Sequence, residues 1–383
     1  MATAQRLKPV DLSLAEKIGR LHWPFVVAVA AVAAIGYGTL YSAAGGSHDP
    51  WAWRQAVRFG VGLIVMLAVA LTDIRVWFKA AFSIYGLALL GLIAVEVMGE
   101  INMGAQRWID LGLFQLQPSE VMKIALVLAL ARYFHGAYLE DVGRIGFLVP
   151  PLLMVAVPGL MVLRQPDLGT ATMLFAGGGA MFFLAGVRWW KFALLIGGVA
   201  AAVPVLWHQL HDYQRQRVLT FLNPEEDPLG AGYHIIQSKI ALGSGGLWGR
   251  GFLNGTQSQL SFLPEKQTDF VFTMLAEEAG LFGALVLLGL FLLIVAYGVL
   301  FALHARSQFG RLLAMGVATT FFLYVSINIA MVTGLIPVVG IPLPMVSYGG
   351  TAMMTVMFGF GLLLGVDVHR DVPIARFPAD VDR

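Results

Sequence analysis

The sequence predicts an all-α polytopic membrane protein, with about ten transmembrane helices and one large extracytoplasmic loop (208–269) inside a single membrane domain covering residues 1–383. Three observations carry this. Of 383 residues, 58% are hydrophobic and only 13% charged, whereas a soluble protein is charged at roughly 25% of positions. Runs of about eighteen or more residues with few or no charges recur, the length a helix needs to cross about 30 Å of hydrocarbon. The cations gather at alternate joints between those runs.

Taken in order, the first run, 23–44, ends without a small-residue cleavage site and reads as a retained helix. Runs at 56–72 and 77–98 follow. The fourth, 118–135, starts at Pro118, suited to a helix's first turn, and carries Glu120 and Lys123 three apart, hence on one face. Runs 146–164 and 168–186 are joined by Arg164-Gln-Pro-Asp-Leu-Gly-Thr, a tight turn broken by Pro166 and Gly169, with Asp167 placed to cap the next helix. Then come 189–207, the long loop, and the runs 270–302, 311–335 and 346–366. Small-residue patches at Gly177-Gly-Gly-Ala and Gly359-Phe-Gly suit close helix approach.

An even number of spans puts both termini on one side. Arg6, Lys8, Lys17 and Arg20 precede the first span, and the loops of the same side hold Arg75, Lys79, Arg132, Arg144, Arg188, Lys191, Arg306 and Arg311. The excess of cations there places both termini in the cytoplasm and the long loop outside.

Composition also excludes. There is no cysteine, hence no disulfide, thiolate or sulfur-ligated metal chemistry. His208, His211 and His234 lack a metal-binding spacing, no Gly-rich phosphate loop is present, and a net charge of +2 gives no footprint for nucleic acid.

The polar loop holds the chemistry-bearing groups. Tyr233, Ile236 and Ile240 fall at the spacing of one helix face, ended by Gly243, Gly245 and Gly246. This predicts an amphipathic helix on the outer leaflet with Lys239 on its polar side. Arg217, Lys239, Arg250 and Lys266 supply cations suited to a diphosphate or other anionic headgroup. Asp269 stands at the water–membrane boundary just before an apolar run. Two readings are open for it: a general base with a raised pKa, or a helix-start signal with Thr268. Glu120 and Lys123 likewise read either as a structural ion pair or as the lining of a cavity for a charged ligand. Arg107 adds a cation just upstream, and Trp108 alone reads as an interface anchor.

The wording of the loop adds a resemblance. Asn223-Pro-Glu-Glu-Asp-Pro-Leu-Gly-Ala-Gly-Tyr-His, Gly251-Phe-Leu-Asn-Gly-Thr-Gln-Ser-Gln and Phe262-Leu-Pro-Glu-Lys-Gln-Thr-Asp-Phe closely resemble the shape, elongation, division and sporulation (SEDS) family. Gly104-Ala-Gln-Arg-Trp-Ile, Gln117-Pro-Ser-Glu, Gln165-Pro-Asp-Leu-Gly-Thr and Pro342-Leu-Pro-Met-Val-Ser-Tyr-Gly-Gly match it too, in order from the third span to the tenth. The Gly-Thr-Gln-Ser-Gln wording and compact loop look like the family's elongation member. The resemblance implies a peptidoglycan glycosyltransferase of the bacterial cytoplasmic membrane that polymerises lipid II on the outer face. The family's essential aspartate maps onto Asp269, its tryptophan onto Trp108, its intramembrane pair onto Glu120 and Lys123, and Arg107 and Ser347 also match. Gln267 stands where the family motif usually has histidine.

The implied mechanism makes Asp269 the base for an inverting transfer, with the charge on the undecaprenyl diphosphate leaving group met by Arg107, Lys123, Arg217 and Lys239 or by a divalent cation, Mg or Mn. The implied partners are lipid II and undecaprenyl-diphosphate-linked glycan, membrane lipid, and a class B penicillin-binding protein docking on spans eight and nine. A flippase for the same lipid-linked precursor, or a non-catalytic scaffold of the elongation complex, are the alternative readings.

Overall fold

The computed structural model describes residues 12–102, 105–110, 112, 115–138, 140–209, 215, 219–221, 223, 232–259 and 265–375. A short helix α1 (Leu14–Gly19), closed by a capping box between Ser13 and Glu16, precedes the bundle. Every expected span is a helix: α2 (Trp23–Ala43), α3 (Ala52–Leu71), α4 (Ile74–Met98), α5 (Pro118–His135), α6 (Ile145–Arg164), α7 (Leu168–Leu184) and α8 (Trp189–Gln209). Within the long loop lie α9 (Tyr233–Ser244) and α10 (Thr256–Gln259), followed by α11 (Val271–His304), α12 (Gln308–Val332) and α13 (Gly350–Val368). Seven are long and apolar enough to cross a membrane, namely α2, α3, α4, α6, α11, α12 and α13. Helix α7 is shorter, and α8 leaves Leu194, Leu195, Ile196 and Val199 exposed. Helix α5 is set apart by its charges, and the bundle buries it from Pro118 to His135 on nearly every side.

The connector between α4 and α5, for which the sequence reading gave no strand, holds a small antiparallel sheet. Strands β1 (Glu100–Asn102), β2 (Ala105–Asp110) and β3 (Gln115–Leu116) pair in the order β1-β2-β3, with Glu100 opposite Trp108 and Ile109 opposite Leu116.

The expected glycine patches do bring helices together. A methyl at Gly361 would sit 2.7 Å from the Met66 carbonyl of α3, and one at Gly178 would sit 2.6 Å from Val155 of α6. Packing rather than water exclusion holds helices together in lipid, so such close approach is what gives the bundle its cohesion.

Hydrogen bonds sort the bundle into two ends. At one, Lys17 Nζ donates to the Leu71 carbonyl (2.9 Å), Arg20 pairs with Asp371 (3.2 Å), and the Phe309 amide donates to His135 Nδ1 (3.1 Å). At the other end meet the N-termini of α3, α5, α7, α11 and α13. Gln55 of α3 donates to the Ser347 carbonyl just before α13 (2.9 Å), Ser347 donates to the Thr268 carbonyl just before α11 (2.6 Å), and Gln117 before α5 donates to Asp167 before α7 (3.3 Å).

Helix α9 is present, but its buried face is Ile235, Ser238 and Ala241, and Ile240 is exposed. The expected Tyr233–Ile236–Ile240 face followed the apolar residues. The structure follows the small ones: Ser238 lies close enough to α11 and α12 to bond Thr273 Oγ1 (2.8 Å) and the Val332 carbonyl (2.7 Å). The helix therefore docks on the bundle.

Helix α11 is broken at Gly280, whose φ of 65° is left-handed. The loop after α9 is inserted at the break. Arg250 and Gly251 amides donate to the Glu277 and Glu278 carbonyls (3.0 Å each), while Leu281 and Phe282 amides donate to the Gly246 and Leu247 carbonyls (2.9 and 3.1 Å). The backbone groups freed by the kink are thereby satisfied, the condition for breaking a helix at membrane depth. The approach is so close that a methyl at Gly249 would lie 2.1 Å from the Glu278 carbonyl oxygen. Glu277, fully buried, anchors the same loop by accepting from Thr256 Oγ1 (3.1 Å) and the Gln257 amide (2.8 Å).

Candidate active site

Asp269 is delivered by the turn 265–270 that leads into α11. Glu265 shapes that turn, accepting on its carboxylate from Thr268 Oγ1 (2.8 Å) and on its carbonyl from the Thr268 amide (3.0 Å). Gln267, at the position where histidine was the family expectation, reaches the Glu265 carboxylate at 3.5 Å. The cap of α11 is Phe270 with no side-chain hydrogen bond, so the Asp269 carboxylate is not spent on starting the helix. The helix-start reading of Asp269 therefore finds no cap in the structure.

The segment is braced from behind by the chain around residues 328–348. Ser347 Oγ donates to the Thr268 carbonyl and accepts from the Leu343 amide (2.7 Å), and the Tyr348 amide donates to the Gln267 carbonyl (2.8 Å). Asn328 Nδ2 donates to the carbonyls of Asp269 (3.0 Å) and Ile341 (2.7 Å). Gly340, with φ of 67°, lies against the carboxylate: a methyl there would come 3.4 Å from Asp269 Oδ2.

Asp269 keeps an opening to solvent. Burial of its carboxyl pushes the pKa up to about 6, with the nearby charges of Glu265 and Asp167 adding to the shift. A carboxylate so placed is ionised at neutral pH yet basic enough to draw a proton in a transition state. Lys266 beside it is shifted down, mainly by burial and against the opposing pull of Glu278.

The facing wall is built from the upstream motifs. Asp167 caps α7 as expected, accepting from the Thr170 amide (3.0 Å), but it also stands near enough to Asp269 to raise its pKa. Arg107 on β2 donates from Nε to the Gln165 carbonyl (3.1 Å) and from Nη2 to the Pro166 carbonyl, which ties the sheet to the turn holding Asp167. Trp108 is half-buried on the same strand. Below this layer, Lys123 Nζ meets Glu120 Oε1 at 2.7 Å, Tyr324 donates its hydroxyl to the other Glu120 oxygen, and Lys123 lies 4.2 Å from the centre of the Tyr324 ring. Both charged side chains are 3% exposed, so the pair is neutralised internally and sits beneath the surface of the site.

Among the candidates from sequence, Asp269, Arg107, Trp108, Glu120, Lys123 and Ser347 are therefore gathered at one end of the bundle. Ser347 is a brace with both hydrogen-bonding functions engaged in the protein. Lys239 is exposed on α9, its chain packed toward Gly334, and Arg217 lies outside the described residues. Asn328, Tyr324 and Gly340 had not been singled out. The available signal was an asparagine in the apolar run 311–335, since an intramembrane polar group needs a partner. Among the described residues, no three side chains of His, Cys, Asp or Glu converge to hold a metal ion.

Comparison with known proteins places these features. The FtsW/RodA/SpoVE family, described as cell cycle protein, matches residues 22–372. The chain is 47% identical over 326 residues to peptidoglycan glycosyltransferase MrdB of Escherichia coli K12, covering 83% of this chain and 85% of that protein. It is 38% identical over 320 residues to stage V sporulation protein E of Bacillus subtilis, covering 82% and 86%. Among solved structures, the rod shape determining protein RodA of Thermus thermophilus superposes with a TM-score of 0.69 at 31% identity, covering 91% of this chain and 97% of that one. A chain from a study of how a peptidoglycan synthase complex coordinates polymerization and crosslinking superposes with a TM-score of 0.80 at 36% identity, covering 91% and 98%.

Proposed function

We infer the function of this chain from the family it belongs to, the FtsW/RodA/SpoVE cell cycle proteins, and from the carboxylate at one end of its bundle. It is a peptidoglycan glycosyltransferase. In the reading we propose, it lies in the bacterial cytoplasmic membrane with both termini in the cytoplasm and polymerises lipid II on the outer face during elongation. The carrying observation is Asp269, largely buried, braced through its backbone, with its pKa raised to about 6.

Asp269 accepts the proton of the 4-hydroxyl on the acceptor's N-acetylglucosamine as that oxygen attacks the anomeric carbon of the donor's terminal sugar. The bond from that carbon to the diphosphate oxygen breaks on the opposite side, so the configuration inverts and undecaprenyl diphosphate departs. Proton transfer of this kind contributes about 100- to 10,000-fold. Arg107 is the cation best placed to meet the developing negative charge, since among the described residues it bonds carbonyl oxygens and no carboxylate, whereas the charge of Lys123 is neutralised by Glu120.

The crosslinking partner is a class B penicillin-binding protein whose single span packs on α11 and α12. Leu281, Phe282, Leu285 and Leu292 of α11 and Phe322 of α12 are exposed and available to it.

Purified protein in liposomes, given labelled lipid II, tests the reading. Glycan chains on gels are expected from the wild type and not from Asp269→Asn. Translocation of the headgroup without polymer would instead make the chain a flippase, and wild-type growth of Asp269→Asn cells would make it a scaffold.

A further inference from the structure

We infer that Arg58 of α3 is the centre of a binding site for a lipid-borne phosphate, set between α3 and α13 at the end of the bundle that holds Asp269. The guanidinium lies 4.5 Å over the centre of the Tyr348 ring and packs against the backbone of Gly350, where a methyl would come 3.3 Å from Cζ. Its Nη1 is buried without a hydrogen-bond partner among the described residues. None of the carboxylates described there pairs with it, although arginine in a membrane helix ordinarily finds a counter-charge. A buried N–H of a charged guanidinium left without an acceptor is unfavourable, and an anion would complete it.

The surroundings add positive potential. Arg54 is exposed one turn earlier on the same face, and like charges four apart on a helix repel. Both lie in the first turns of α3, which lacks a side-chain cap and has no acidic residue there, so the helix dipole opposes them as well. The adjoining N-terminus of α13, capped by Gly349 without a side-chain bond, points the same sign at the same place. The Tyr348 ring offsets part of this charge, but no carboxylate among the described residues pairs with it. A phosphate can supply the missing negative charge through charge-assisted hydrogen bonds to the guanidinium.

The approach is from lipid. Trp53, Val57 and Val61 flank the arginines and are exposed at 60%, 48% and 48%. Arg58 is six residues into the helix, about 9 Å along its axis, a depth from which an arginine side chain reaches the headgroup layer. The ligand chemistry is thus a phosphate or diphosphate borne on a lipid, whether the polyprenyl diphosphate of the reaction or an anionic phospholipid. Tyr348, which carries the stack, also holds Gln267 two residues from Asp269 (2.8 Å). A bound phosphate therefore rests against the brace of the catalytic segment.

Full-length protein in phosphatidylcholine nanodiscs, titrated separately with undecaprenyl diphosphate and phosphatidylglycerol under native mass spectrometry, tests the site without turnover. Arg58→Gln is expected to weaken binding about tenfold or more, Arg58→Lys by less, and Asp269→Asn not at all, which separates this site from the catalytic reading. Weakening for both lipids supports a general headgroup site, and weakening for undecaprenyl diphosphate alone supports a site for the reaction's own carrier. Wild-type affinity for both lipids in an Arg58→Gln protein that melts like the wild type overturns the inference. Should that variant melt early, wild-type affinity for both lipids in Arg58→Met, which keeps the length but loses the charge, overturns it equally.

Discussion

The raised pKa of Asp269 makes the pH dependence of the reaction a direct reading of the site. With a value of about 6, the carboxylate is about nine-tenths ionised at pH 7 and about one-tenth ionised at pH 5. A base with this pKa gives a rate that is flat above pH 7 and falls about tenfold per unit below pH 6. The part of the shift due to charge is separable from the part due to burial. Glu265→Gln keeps the size and one acceptor oxygen for Thr268 but removes the negative charge that raises Asp269, so the acid limb should move to lower pH. The assay is the initial rate of lipid II polymerisation at subsaturating substrate between pH 4.5 and 8 for wild type and Glu265→Gln. Stability gives an independent check on sign. The folded pKa lies above the ordinary value of 3.8, so the folded state holds the proton more tightly. The ionised carboxylate then costs stability above about pH 6, a cost that vanishes as pH falls below about 4. Asp269→Asn should thus melt no lower than wild type at pH 8 while losing polymerisation. An acid limb near pH 4, or one that ignores Glu265→Gln, would refute the assignment of Asp269 as the base.

Other consequences are checked by the same assay together with thermal unfolding in detergent. Asn328→Ala leaves the carbonyls of Asp269 and Ile341 without their donor, at about 1–3 kcal/mol each, and should lower kcat more than it alters KM. Lys123→Met strands the Glu120 carboxylate in a buried site and should cost about 3–5 kcal/mol, with the Glu120→Gln/Lys123→Met double variant recovering part of it. Gly249→Ala places a methyl against the Glu278 carbonyl at a residue with φ of 81° and should destabilise by more than about 2 kcal/mol.

The legible and illegible parts of the fold divide along physical lines. Helix spans were readable because lipid imposes length and apolarity directly on sequence, and even the boundaries of α5 agree with the expected 118–135. The face buried by α9 was not readable, because Ser238 and Ala241 owe their burial to how closely α11 and α12 approach, a tertiary fact that hydropathy does not encode. For the same reason Arg107 and Asp269 could be named as chemistry, while the bonds of Ser347 and Asn328 could not. Those bonds run from side chain to main chain, and main chain carries no sequence signal. Glu120 and Lys123 show the converse: three-residue spacing announced the pair, but only the Tyr324 hydroxyl reveals that the carboxylate is already satisfied.

The break in α11 explains how the Asp269 carboxylate can stand at one end of the bundle and still be held in place. In an uninterrupted helix the amides of Leu281 and Phe282 would bond within the helix, and the orientation of residues 271–279 would follow the whole rod. Here those amides belong to the 246–251 loop, and the carbonyls of Glu277 and Glu278 accept from it. The first two turns of α11 are thus oriented by the 246–251 loop on one side and by Asn328, Ser347 and Tyr348 on the other. Asp269 is coupled to the loop more directly than to the distal half of its own helix. A force or ligand acting on the loop should then be felt at the carboxylate without moving the spans. Disulfide trapping tests this: Leu247→Cys with Phe282→Cys, whose backbones are bonded across the splice (3.1 Å), should leave polymerisation by the isolated protein intact, and loss of activity on oxidation, reversed by reductant, would show that the splice must open during turnover.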